Sequence, residues 1–100
     1  MLCYKVHKGK FGNVLAVADC DLIGKKIKFN ELSILVNPRF YGETKATKEW
    51  LLSYVKDKWF LSVNLIGEEA VSFGVEANLI DKDKVLMLGK IPHAHCVLVF

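Results

Sequence analysis

The tail group Pro92-His93-Ala94-His95-Cys96 holds the residues with the clearest capacity for chemistry. On an extended strand His93 and His95 point to one face, about 6.5 Å apart along the chain, a spacing that suits metal binding by two imidazoles. Zinc asks for four ligands, or three and a water. Local sequence offers only these two, because Cys96 alternates to the opposite face and His7 joins them only if the terminal strands pair. A loop histidine near a turn and a second one at a strand edge explain the same residues, so no metal and no cofactor is expected. A nucleophilic thiol needs partial exposure beside positive charge, whereas Cys96 opens the apolar stretch Val97 to Phe100 and reads as a core thiol. Asp19 and Asp21 flank Cys20 and have the chemistry to share a proton or hold Mg²⁺, but capping a turn is their simpler use. No residue is assigned a catalytic role.

The cations make a different case. Thirteen of the fourteen are Lys, and Arg39 is the one Arg. Lys attracts phosphate as a point charge, while bidentate reading of base edges prefers Arg. Any nucleic-acid contact is therefore expected on the backbone or on shape, with little sequence preference. Residues 1–58 carry eleven cations against six acids, and residues 59–100 carry three against five. One basic face and one neutral or acidic face follow if the halves occupy different surfaces. Lys25, Lys26 and Lys28 are the densest cluster, with Lys26 and Lys28 on the solvent face of one strand. Lys8, Lys10 and Phe11 combine charge with a ring able to stack on a base, and Arg39 stands beside Phe40 and Tyr41. Ordinary surface charge is the competing reading of each cluster. Gly9 to Asn13 has neither P-loop nor dinucleotide-fingerprint spacing and reads as a hairpin turn.

These side chains need a scaffold. Leu2, Tyr4 and Val6 alternate with Cys3, Lys5 and His7, which predicts a half-buried strand. Val14 to Ala18 returns as the second arm of a hairpin, and Asp19 to Gly24 makes a corner or single helical turn. Lys25 to Phe29 is a strand with Ile27 and Phe29 inward. Leu32, Ile34 and Val36 line another strand, after a tight connection at Asn30-Glu31. Pro38 ends that strand, and residues 39–46 read as a loop. Thr47 caps a helix over Lys48 to Trp59, with Leu51, Leu52, Val55 and Trp59 on one face and Trp50 and Tyr54 flanking it as core. A second helix is predicted from Asn64 to Asn78, with Glu68 and Glu69 near its positive end and Asn78 as a left-handed cap. Strand-like runs at Val85 to Leu88 and His95 to Phe100 follow, joined through a loop holding Pro92 and His93. The expected fold is α+β, a single domain over residues 1–100, with N-terminal antiparallel strands, two central helices and C-terminal strands.

Composition sets outer bounds. One hundred residues, 52% hydrophobic and 25% charged, describe one folded domain rather than a disordered chain. The longest uncharged apolar runs hold about five residues, against roughly 20 for a membrane-spanning helix. The first residues lack a basic segment followed by an apolar one, so no secretory signal is expected. Cys3, Cys20 and Cys96 form no CxxC pair and read as free thiols in a reducing cytoplasm. An intracellular disulfide remains an alternative in a hyperthermophile.

Asn64-Leu65-Ile66-Gly67-Glu68-Glu69-Ala70-Val71, Glu76-Ala77-Asn78-Leu79-Ile80 and Pro92-His93-Ala94 together resemble an archaeal family called domain of unknown function 424. Val14 to Gly24 and Phe40-Tyr41-Gly42 are similar to its N-terminal half, so the likeness covers nearly the whole chain. The resemblance implies a small cytoplasmic archaeal α+β protein without an established activity. It makes His93 the histidine of the shared motif. Gln is more typical of the family where His95 stands, and an aliphatic where Cys96 stands, which argues against a family-wide metal site or thiol nucleophile. A glycine is common where Asn78 stands, which agrees with a left-handed cap.

The leading functional expectation is a non-catalytic RNA-associated binding module that works with the translation machinery, RNA or a ribosomal particle being the partner. A small enzyme or metal-assisted hydrolase centred on His93, helped by Asp19 or Asp21, is a second expectation. A protein–protein adaptor or homo-oligomer pairing through an exposed C-terminal strand is the third.

Overall fold

In the computed structural model, which describes residues 1–97, the alternating N-terminal segment is strand β1 (Leu2–His7), and its return arm is β2 (Val14–Asp19). The two pair antiparallel with Leu2 opposite Asp19 and His7 opposite Val14. A one-turn 3₁₀ helix at Cys20–Leu22 turns the corner. Strands β3 (Lys26–Phe29) and β4 (Leu32–Leu35) then form a separate two-stranded ribbon. Its turn places Asn30 at φ 57°, the left-handed region that Asn tolerates better than most residues.

The segment expected to be a loop after β4 is ordered. Asn37 caps a short helix α1 (Pro38–Tyr41) by accepting the Arg39 amide, with Pro38 in the first turn. Asn followed by Pro is thus a helix start here, not merely a strand end. Strand β5 (Thr44–Ala46) then pairs with β1 at the sheet edge. Helix α2 (Lys48–Val55) starts as expected, its Thr47 hydroxyl accepting the Trp50 amide at 3.1 Å, but stops four residues short of Trp59. Phe60, beyond the polar turn Lys56-Asp57-Lys58, fills the core instead.

The largest departure lies at Asn64. Ser62–Ile66 is strand β6, and only after Gly67, at φ 108°, does helix α3 (Glu68–Glu76) begin. Asn78 takes φ 57° past its end, as a left-handed cap should. A second 3₁₀ turn at Lys82–Lys84 leads to β7 (Leu86–Leu88) and β8 (Ile91–Val97). Pro92 and His93 therefore lie inside a strand and not in a connecting loop. The expected run to Phe100 falls partly outside the described residues.

The main sheet runs β5-β1-β2-β6-β8-β7, with β2 and β6 parallel and the other neighbours antiparallel. Leu2, Leu15, Val17, Val63, Leu65 and Ala94 turn to one face and pack on Leu51, Val55, Ala70 and Phe73 of α2 and α3. Ala16, Ala18 and Ile66 turn to the other and pack on Ile27, Val36 and Tyr41. The β3–β4 ribbon and α1 thus form an outer layer opposite the helices, making an α+β domain of three layers. No helix among the described residues is long and apolar enough to cross a membrane.

Candidate functional site

The cations singled out above fall into two groups. β3 lies toward the β7 edge of the sheet, with the Lys28 carbonyl near the turn at Gly89, whereas α1 and the β1–β2 loop lie over β1 and β2. Lys25, Lys26 and Lys28 are exposed at and along β3, since the pleat that buries Ile27 turns Lys26 and Lys28 outward. Arg39 is exposed on α1 in the same layer. Lys5 reaches into that layer from β1, its ammonium donating to the Arg39 carbonyl at 3.1 Å. Lys8, Lys10 and Phe11 occupy the exposed β1–β2 loop, and His7 at the base of that loop stacks on Phe40 of α1 at 5.0 Å. Its Nε2 lies 2.7 Å from the Phe40 carbonyl oxygen.

None of these cations is paired with an acid among the described residues. Among the described residues the ion pairs join the Met1 amino group to Glu69 and Lys48 to Glu76, both on the helix side. From Gly24 to Glu43 the outer layer carries Lys25, Lys26, Lys28 and Arg39 against Glu31 and Glu43, whereas α3 carries Glu68, Glu69 and Glu76 with no cation. α2 and the turn after it, also on the helix side, carry Lys48, Lys56 and Lys58 beside Glu49 and Asp57, so the contrast in charge is between the outer layer and α3.

Aromatic residues accompany the basic elements, including several expected in the core. Phe11 is 79% exposed, and the Lys10 ammonium stands 5.7 Å from its ring centre. Trp59, also exposed, lies against the same loop: a side chain at Gly12 would meet its ring at 2.8 Å. Trp50 stacks on Tyr54 at 4.9 Å and Tyr4 stands 5.6 Å from Trp50, yet Trp50 is 47% exposed. Lys58 sits 4.5 Å over the Tyr54 ring. A cleft of about 660 Å³ joins the aromatic cluster to the basic layer, lined by Tyr4, Tyr54, Lys5, Arg39 and Glu43 among others. The helical offset was legible in sequence. Leu51 and Val55 define the buried stripe, and Trp50 and Tyr54, one residue earlier in each turn, fall about 100° away from it.

The histidines do not converge. β1 pairs with β2 and β5, so three strand spacings of about 4.8 Å separate it from β8, and His7 cannot join His93 and His95. His93 lies opposite Ile66 and Leu86, and His95 opposite Asn64. His95 is engaged with the buried Ser62, Nε2 to Oγ at 3.2 Å. Burial, and then the charge of His95, hold His93 below the ordinary imidazole value. No group of three His, Cys, Asp or Glu side chains suited to a metal occurs among the described residues. Cys96 is half-buried against the helix-side core, as its apolar neighbours suggested.

Asp19 is committed elsewhere. Its carboxylate does not cap the turn it precedes. It accepts instead from the amides of Ala70 at 2.8 Å and Glu69 at 3.3 Å, serving α3 across a long sequence separation. Gly67 makes this approach possible, because a Cβ there would stand 2.6 Å from both Asp19 oxygens. Burial pushes the Asp19 carboxyl up despite those two hydrogen bonds. Asp21 stays exposed. Of the two carboxylates expected to help a His93-centred hydrolase, Asp19 is thus spent on helix α3.

Residues 6–99 match the model of a family described as "Protein of unknown function (DUF424)". A crystal structure of an uncharacterized conserved protein from Methanopyrus kandleri is similar in fold, with a TM-score of 0.77 and 24% identity over 95% of this chain and 89% of that one. No curated protein matches the chain.

Proposed function

This chain belongs to the DUF424 family, and we propose that it works as a non-catalytic, cytoplasmic RNA-associated binding module that acts with the translation machinery. The observation that carries the reading is the set of exposed cations on the ribbon, α1 and the β1–β2 loop. The ribbon, α1 and the β1–β2 loop present Lys8, Lys10, Lys25, Lys26, Lys28 and Arg39 without acid partners among the described residues, and α3 on the opposite side is acidic. An RNA backbone docks on the first surface by releasing condensed counterions and is repelled by the second. Phe11, exposed beside Lys10, supplies a stacking face for an unpaired base. Pro92 and His93 have a structural part in this reading, since the Pro92 carbonyl accepts the Gly67 amide at 2.9 Å and His93 is half-buried beside the motif strand β6.

Affinity capture from an archaeal lysate at low and high salt tests the proposal. RNA or ribosomal particles recovered at low salt and lost at high salt are the expected result. A capture free of nucleic acid at low salt overturns it. The adaptor reading has one observation in its favour: Leu86 and Met87 on edge strand β7 are 65% and 52% exposed. β7 covers β8 on that side only from Ile91 to His93, so among the described residues the stretch from Ala94 to Val97 of the C-terminal strand has no strand partner there. A salt-resistant protein partner in the same capture selects this reading.

A further inference from the structure

At the end of the β1–β2 hairpin nearest α3, the thiols of Cys3 and Cys20 face each other with their sulfurs 2.7 Å apart. That is inside van der Waals contact for two sulfurs and a short movement from the S–S bond of about 2.05 Å. The hairpin register produces the approach. Cys3 stands opposite Ala18, and the Cys20 amide donates to the Met1 carbonyl at 3.0 Å, so the chain brings Cys20 back over the start of β1. Cys96 is excluded from the pair, lying on β8 with β2 and β6 between it and β1.

We propose that Cys3 and Cys20 are a modification site, a dithiol that closes to an intramolecular disulfide by exchange with a small-molecule disulfide. Cys3 is buried and Cys20 only partly so, which makes Cys20 the entry point. Its thiolate attacks the small disulfide, forms a mixed disulfide and expels one thiolate. The Cys3 thiolate then attacks the Cys20 sulfur and expels the second. Two protein thiols lose two electrons, one small disulfide gains them, and the two protein protons pass to the departing thiolates. The Cys20 thiol is pushed up to about 12 by burial and by its hydrogen bond with Cys3. Closure is therefore slow near neutral pH and accelerates roughly tenfold per pH unit as the thiolate fraction grows. The bond ties the start of β1 to the corner after β2, beside the carboxylate that holds α3.

The test equilibrates the full reduced chain with oxidised glutathione, counts free thiols and maps unreduced peptides. Loss of two thiols, a peptide linking Cys3 to Cys20, an alkylatable Cys96 and a Tm higher by on the order of 10 °C are expected. The Cys96→Ser variant loses both remaining thiols in the same way, and Cys3→Ser stops at the mixed disulfide on Cys20. Three free thiols at equilibrium, a lasting glutathione adduct on Cys20 of the unaltered chain, or a link to Cys96 overturns the proposal.

Discussion

At Asp19 two forces oppose each other. The positive end of α3 and two amide donors favour the carboxylate, while partial burial disfavours it, and burial prevails. A folded-state pKa above the unfolded one means that protonation favours the fold. The contribution is full below about pH 3.9 and is lost as pH rises through the folded value. Asp19→Asn keeps an acceptor and removes the charge, so its stability relative to the parent protein should grow as pH rises over that window and then level off. Asp19→Ala leaves two α3 amides without a partner and should lie about 1 kcal/mol below Asp19→Asn at neutral pH. Denaturant unfolding of the three proteins across pH checks both; a difference independent of pH contradicts the assignment. His93 carries the opposite sign. Its lowered pKa gives stability that is present above about pH 6.5 and lost as pH falls toward the folded value. NMR titration should place His93 below a free imidazole, and His95→Ala should raise it. An unmoved His93 would show that His95 does not act on it.

Among the elements, α3 shows how turn chemistry selects one boundary from several. Gly67→Ala puts a methyl group against the Asp19 carboxylate at a backbone angle of 108°. It should cost roughly 2 kcal/mol or more by strain and by displacing the cap. Asn78→Gly keeps the left-handed cap and should be neutral or slightly stabilising, whereas Asn78→Val should cost about 1 kcal/mol or more. Equal melting of the two Asn78 variants would remove the cap argument. These positions also mark what the sequence could and could not reveal. The β1–β2 and β3–β4 hairpins were legible because each strand exposes one face and alternates accordingly. The start of α2 was legible from Thr47, and its early end was not, because Trp59 continues the helical spacing past the turn at Lys56. β6 has the pattern of a helix in sequence because it is central and buried on both faces. Leu65 serves one core and Ile66 the other, so period-two alternation disappears. The Lys and Arg candidates were visible as exposed residues, but their neighbours were not. Trp50 and Trp59 read as core from their apolar rings but stand exposed, whereas Tyr54 is half-buried against the core as expected.

Over the whole molecule, a sheet is covered by helices on one side and by a ribbon with three exposed lysines on the other, in a chain of net charge +3. Exposure on the outer layer makes the lysines dispensable for folding, so Lys25→Glu, Lys26→Glu and Lys28→Glu combined should leave the unfolding midpoint nearly unchanged. The measurement that bears most directly on the account is RNA affinity as a function of salt, by fluorescence anisotropy, for the parent protein and this triple variant. The parent should bind a single-stranded RNA at ~50 mM salt and weaken by about 100-fold or more by ~200 mM. The variant should bind more weakly throughout, with a log–log slope shallower by about one for each phosphate contact removed. Affinity that does not depend on salt, or a slope that the three reversals leave unchanged, would contradict a polyanion-docking role for this layer.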